Sequence, residues 1–163
     1  MGDRLARPAV RRVVDALAAN GIEDRVVELE ATARTAADAA AAIGVEVGAI
    51  VKTLAFVIGD EVVLACVAGD RRCDPAALPT VFARDGIARR ADADQVKAAT
   101  GFSIGGVAPV GHPRPVAITL DTSLGRYPEI YAAAGHPHCV FRTTLAELAD
   151  LTGGTVSPAI ALD

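Results

Sequence analysis

Two apolar runs, Leu54–Ile58 and Val62–Val67, are separated only by Gly59-Asp60-Glu61. Short runs rich in β-branched residues read as strands, and a link this short with a glycine closes them into an antiparallel hairpin. Parallel neighbours need a crossover of a dozen or more residues. A strictly alternating, doubly wound parallel sheet is therefore a poor fit. Around the hairpin the pattern mixes both element types. Arg7 to Asn20 has helical periodicity through Val10, Val13, Val14 and Leu17, with Gly21 as its stop. Asp24 to Glu30 reads as a strand, and Thr35-Ala36-Ala37-Asp38 as a capping box opening a helix that stops at Gly44. Glu46 to Lys52 predicts a short helical turn, Asp74 to Phe82 a short helix, and Asp92 caps a helix from Ala93 to about Thr100. A glycine-rich loop, Gly101 to His112, comes next. Val116–Leu120 reads as a strand, Pro128–Ala134 as a helix, Cys139–Arg142 as a strand and Thr144–Leu151 as a helix ending at Gly153. The fold class expected is α/β of the α+β type, a mixed, largely antiparallel sheet surrounded by helices. With 163 residues and no linker or repeat, residues 1–163 are expected to form one domain.

Hydrophobic residues make up 52% of the chain but aromatic ones only 4%, so alanine inflates the first figure. No uninterrupted apolar segment reaches the roughly 18 residues of a membrane helix, and Met1 to Pro8 lacks the apolar stretch of a secretory signal. Cys66, Cys73 and Cys139 show no paired spacing, which predicts reduced thiols in a cytoplasm. The net charge of −4 argues against a protein that grips a long duplex, so no DNA partner and no membrane partner is expected. Any nucleic-acid contact is expected to be local, and Arg71-Arg72, Arg89-Arg90 and Lys97 are the local clusters.

Lys52 stands out within this background. It is one of two lysines, and it lies in the apolar run Ala49-Ile50-Val51-Lys52-Thr53-Leu54-Ala55-Phe56-Val57. An ammonium is a compact point charge that is costly to bury without a partner. Two readings are open: a lysine whose stem lies on the core while its head reaches water, or one that meets a cavity, an acid or a bound anion.

The glycine-rich loop offers further chemistry. Gly105-Gly106 allows close backbone approach, and successive N–H groups there can aim at one anionic oxygen; an ordinary structural loop is the competing reading. Gly101-Phe102-Ser103-Ile104-Gly105 matches G-x-S-x-G, with Asp121 and His136 or His138 following in triad order. That motif needs a strand before the serine and a helix after it, and here a helix precedes while Gly106 and Pro109 oppose a following one. His136-Pro137-His138-Cys139 lacks zinc-type spacing, and there is no phosphate-binding or dinucleotide fingerprint, so neither metal nor cofactor is expected.

Three segments together change the reading: Val51-Lys52-Thr53-Leu54, the loop Thr100 to His112, and Tyr131-Ala132-Ala133-Ala134-Gly135. In this order and separation they resemble the YbaK/EbsC family, related to the editing domain of bacterial prolyl-tRNA synthetase, over nearly the whole chain. The resemblance implies the YbaK/prolyl-tRNA synthetase-associated domain fold. It implies a trans-acting aminoacyl-tRNA deacylase, a carboxylic ester hydrolase that clears a small amino acid such as Cys, Ala, Ser or Thr from tRNA for proline or a related tRNA. It implies the acceptor end of aminoacyl-tRNA as partner, with a prolyl-tRNA synthetase as a second. Lys52 would be the essential lysine, and Gly105 to Pro109 the G-x-x-x-P loop, with Gly105 and Gly106 holding the carbonyl oxygen. Ile50, Thr53, Phe56, Pro109, Gly111, His112, Gly135 and His138 are the further substrate-binding candidates. The rival readings are a non-catalytic module that binds a nucleotide or tRNA end and regulates, and a serine hydrolase built on Ser103.

Overall fold

The computed structural model describes residues 3–30 and 34–163; Met1 and Gly2 of the leader reading lie outside them. Helix α1 (Pro8–Ala18) begins with proline at its first position, where the missing N–H costs nothing, and buries Val10, Val13 and Leu17 on one face. Strand β1 (Val26–Glu28) comes next, and α2 (Ala36–Ile43) opens where the Thr35 hydroxyl accepts from Asp38 N–H and closes at left-handed Gly44. A single 3₁₀ turn, Val47–Ala49, leads into the expected hairpin, β2 (Val51–Ile58) and β3 (Glu61–Ala68). Lys52 therefore sits in a strand, not at the end of a helical turn. The extended pairing of β2 with β3 runs from Val51↔Ala68 to Ile58↔Glu61 and captures the lysine.

Strand β4 (Arg72–Cys73), helix α3 (Leu78–Val81) and strand β5 (Ala88–Arg90) precede α4 (Ala93–Thr100), which Asp92 and Gln95 cap reciprocally. Strand β6 (Ala117–Asp121), then β7 (Ile130–His136) and β8 (Cys139–Thr143), helix α5 (Leu145–Thr152), β9 (Thr155–Ser157) and β10 (Ala161–Leu162) complete the chain. The helix expected over Pro128–Ala134 is strand β7. Alanine favours helix in isolation, but Ile130, Ala132 and Ala134 alternate inward and the segment pairs with β8. Tertiary pairing overrides propensity here.

Five strands form a mixed sheet in the order β5-β2-β3-β6-β9, antiparallel on the β2 side and parallel from β3 outward. A second, antiparallel sheet has the order β1-β8-β7, and β10 pairs with β4. This is the mixed α+β architecture that the element order predicts. The large sheet buries both faces. Val51, Ala55, Val57, Leu64 and Cys66 pack with α1, α4 and the second sheet in the main core. Leu54, Phe56, Ile58, Val63 and Val67 face a smaller core closed by Leu78 and Ile160. Among the described residues no helix is long and apolar enough to cross a membrane.

Candidate functional site

The two sheets meet β2 at different heights, and a cleft opens between them. Strand β5 pairs with β2 only over Phe56–Ile58, and its last bond is Ala91 N–H to the Ala55 carbonyl at 3.0 Å. Strand β7 packs near β2 but, among the described residues, pairs with this edge only at the isolated Ile50↔Tyr131 bridge, just before β2 begins. Between these anchors the edge of β2 is bare, and Ile50 through Ala55 line a cleft of about 440 Å³.

The edge divides this cleft by chemistry. Side chains alternate across a strand, so Val51, Thr53 and Ala55 face the main core while Lys52 and Leu54 face the other side. On the first side the lining is apolar and small, with Val96, Val107, Ala133 and the Cys139 thiol. Burial pushes the Cys139 thiol up, which keeps it protonated. On the second side Lys52 is half-buried and its ammonium donates to the Arg71 carbonyl. On the same face Arg90, paired opposite Phe56, holds its guanidinium carbon 5.5 Å from the Phe56 ring centre. Arg34 also lines the cleft. No Asp or Glu lines the cleft, and none of Arg34, Lys52 and Arg90 has a carboxylate partner among the described residues. Three unneutralised cations in one cleft of an acidic protein make a site for an anion.

The glycine-rich loop forms the opposite wall. Helix α4 stops at left-handed Gly101, and fully buried Phe102 anchors the next turn of the chain. Ile104, Gly105 and Val107 reach the cleft. Gly105 has a φ of +97°, which favours glycine, and its N–H has no acceptor among the described residues. Gly106 differs. Its N–H donates to the Ser103 carbonyl at 3.1 Å, so the two glycines do not form a pair of open donors. A methyl group on Gly106 would lie 2.9 Å from the His136 nitrogen, so this glycine supplies close approach to β7. There a bulge between Ala133 and His136 holds Gly135, whose own added carbon would fall 2.7 Å from the Ala9 carbonyl of α1.

Of the residues singled out in the sequence, Ile50, Lys52, Thr53 and Gly105 line the cleft. Phe56 does not: it is 1% exposed and packs in the smaller core, beneath Arg90. Pro109, Gly111 and His112 line a separate depression near the ends of α1 and α5. His112 Nε2 lies 2.8 Å from the Ala108 carbonyl, and burial, helped by the charge of Arg12, holds its pKa below the ordinary histidine value. Gly135 is a packing residue. His138 sits in the β7–β8 turn outside the cleft, its backbone N–H bonded to His136 Nδ1, while its neighbours Pro137 and Cys139 do line the cleft.

The serine-hydrolase constellation is not assembled. No strand precedes Ser103 and no helix follows it. The Asp121 carboxylate accepts from Ala68 N–H and from the Ser123 N–H and hydroxyl, not from a histidine. Among the described residues no three His, Cys, Asp or Glu side chains converge to hold a metal. Sequence reasoning did not single out Arg34 or Val96, whose signals are weak, and read Cys139 only as a reduced thiol beside histidines without zinc-type spacing. Arg90 was visible only as half of an arginine pair, and Tyr131 only within a longer segment.

Comparison with known proteins bears on what this cleft does. Residues 30–151 match the model of the aminoacyl-tRNA editing domain. The uncharacterized protein YwhH of Bacillus subtilis (strain 168) is 34% identical over 131 residues, covering 80% of this chain and 82% of that one. The crystal structure of a candidate trans-editing enzyme for prolyl tRNA synthetase superposes with a TM-score of 0.88 at 43% identity, over 96% of this chain and 99% of that one. The hypothetical protein APE2540 superposes with a TM-score of 0.83 at 28% identity, over 93% of this chain and 99% of that one.

Proposed function

This chain belongs to the aminoacyl-tRNA editing domain family, and from that premise we propose that it acts in trans, hydrolysing the ester of mischarged tRNA. One observation carries the reading: the bare edge of β2 separates a small apolar compartment from a cationic one that holds no carboxylate. An aminoacyl-tRNA end has the matching halves, a short acyl group on one side of an ester and a polyanionic chain on the other. The likeness to a candidate trans-editing enzyme for prolyl tRNA synthetase supports tRNA for proline, or a related tRNA, as the body and a prolyl-tRNA synthetase as the companion enzyme.

In this reading Lys52, with Arg90, binds a phosphate or ribose oxygen of the terminal adenosine and fixes the ester at the edge. The Gly105 N–H points at the carbonyl oxygen, where negative charge develops. Among the described residues the cleft lining offers no carboxylate and no imidazole as a general base. An aminoacyl ester is already activated, so orientation and a few dipoles carry much of the work. Water oxygen bonds to the carbonyl carbon, the bond to the ribose oxygen breaks, and that oxygen leaves as a hydroxyl with a proton relayed through solvent. The products are the free amino acid and uncharged tRNA. Small lining residues limit the acyl group to the size of alanine, cysteine, serine or threonine. A pocket of this kind discriminates poorly among near-isosteres, by roughly 10- to 200-fold per methylene.

The test is a deacylation screen of the purified protein against alanyl-, cysteinyl-, seryl-, threonyl- and phenylalanyl-tRNA, with tRNA for proline as the first body. Turnover of a small aminoacyl ester and none of the phenylalanyl ester is expected. Binding without turnover of any ester would favour a regulatory tRNA-end module.

A further inference from the structure

The open part of β2 is short and centred on Thr53, between the Ile50↔Tyr131 bridge and the bond from Ala91 N–H to the Ala55 carbonyl. Gly69 N–H bonds the Ile50 carbonyl at 2.8 Å, so even-numbered residues of β2 direct their main-chain groups toward β3. Ala55 directs its carbonyl the other way, to Ala91 N–H. Alternation then aims both the N–H and the carbonyl of Thr53 out of the hairpin and into the cleft. Strand β5 has ended before this point, and β7 has paired with this edge only at Ile50. Among the described residues nothing satisfies either group.

We propose that the Thr53 main chain binds the α-aminoacyl group of the substrate as a one-residue strand pair, its carbonyl accepting from the α-ammonium and its N–H donating to the ester carbonyl. The proposal rests on the editing reading above and adds to it a requirement for a free α-amino group. An aminoacyl ester carries one nitrogen donor and one carbonyl about a single Cα, as a strand residue does. In an antiparallel pair, directly opposite residues exchange both bonds, and adding a strand to an open edge is a known way to bind extended chains. The antiparallel placement has two results. The acyl side chain lies on the Thr53 side-chain face, toward Val96, Val107 and Cys139. The ester oxygen leads back along β2 toward Lys52. A peptidyl or N-formyl group on the same nitrogen would lose the charge and meet the strand where an ammonium fits.

The experiment compares three unreactive probes: the L-alanyl amide of 3′-amino-3′-deoxyadenosine, its N-acetyl form and its L-lactoyl form, in which a hydroxyl replaces the amine. Binding is followed through the amide resonances of Thr53 and its neighbours. The free-amine probe is expected to bind about tenfold or more tightly than either of the others, the scale of one charge-assisted hydrogen bond, with the Thr53 N–H among the largest shifts. Equal affinities, an unmoved Thr53 N–H, or no binding of any probe at millimolar concentration overturns the proposal. Alanyl- and lactyl-tRNA are assayed in parallel. Hydrolysis of both at one rate sinks this inference and leaves editing intact. Selective probe binding with no hydrolysis of any ester sinks editing and leaves this recognition. Thr53→Pro removes an N–H that lies outside the ladder, a position where proline is tolerated, together with the hydroxyl that meets the Cys66 thiol at 3.8 Å. It is expected to bind all three probes more weakly while keeping the preference for the free amine, which the retained carbonyl sets, and should it fail to fold, the probe comparison on the parent still decides.

Discussion

Gly106 lies against Gly135 so closely that a methyl group on Gly106 would fall 3.0 Å from the Gly135 carbonyl carbon. Gly135 in turn lies against Ala9 at the start of α1. Loop, bulge and helix are thus stacked backbone on backbone, and Gly105 is placed by the elements behind it. Gly106→Ala has no flexible neighbour to push aside. Overpacking of this kind costs about 1–3 kcal/mol. The expected outcome is a melting temperature several degrees lower and a clear loss of deacylation by the fraction that stays folded. Calorimetry and single-turnover assays on one preparation measure both.

Lys52→Ala is expected to lower deacylation roughly 100-fold or more, the usual effect of removing a group that stabilises developing charge. The side chain ends at a backbone carbonyl in a cleft and fills no cavity, so melting is expected to stay within about 2 °C of the parent. Lys52→Arg is expected to fail as well, because a planar guanidinium cannot replace a point charge held on the Arg71 carbonyl. A folded, fully active Lys52→Ala protein removes the lysine from the mechanism.

Arg90→Gln separates RNA grip from chemistry. Loss of one phosphate contact is expected to weaken tRNA binding and to lower the slope of log affinity against log salt by about 1. A small aminoacyl ester that lacks the flanking nucleotides is expected to be cleaved at the parent rate. The variant also forfeits the contact with Phe56, worth about 0.5–1 kcal/mol at an exposed site, which thermal melting reads separately. Equal losses on tRNA and on the small ester would place Arg90 in the chemistry instead.

Ser103→Ala is expected to keep ester cleavage within about tenfold of the parent, the cost of one neutral hydrogen bond at most. The Ser103 part in the loop is its backbone carbonyl, which the substitution retains. Covalent labelling of Ser103 by a fluorophosphonate would revive the serine-nucleophile reading.

His112 makes stability depend on pH. Burial holds its folded pKa below the ordinary value of 6.5, so the unfolded chain binds the proton more readily. The neutral ring stabilises the fold fully above pH 6.5, and that contribution is lost as pH falls through the folded pKa. Melting temperature is expected to drop between pH 7.5 and 5.5, and to drop less in His112→Gln. An identical pH profile for the two proteins would show that another group sets it, and His136, whose pKa is also lowered, is the next to test.

Much of this architecture is legible in the sequence because it rests on local signals. The hairpin at Gly59, the caps at Thr35 and Asp92 and the stops at Gly44, Gly101 and Gly153 all stand where glycine and hydroxyl or carboxylate chemistry puts them. Strand β7 was not legible, since Ala132 to Ala134 carry no periodicity that separates strand from helix. Nor were β5 and β9, three residues each, which exist because a longer neighbour offers an edge. The same division holds in the cleft. Lys52 and Gly105 are exceptional in their local sequence, whereas Arg90 becomes a candidate only when β5 brings it beside Phe56. Phe56 lies on the Lys52 face but is covered where β5 pairs with it, and His138 falls in the turn between β7 and β8. Neither the covering strand nor the direction of the turn can be read from the neighbouring sequence.

A bare strand edge is also a hazard, because it can template a second copy of the same chain. The opening in β2 is short and centred on Thr53, with β5 guarding one end and β7 the other. One residue can pair with an amino acid but offers too little ladder to recruit another strand. The charges on Lys52 and Arg90 repel their counterparts in any approaching copy. The narrowness of the gap therefore selects a monomeric guest over a polymeric one, and specificity for substrate and resistance to self-association come from the same dimension.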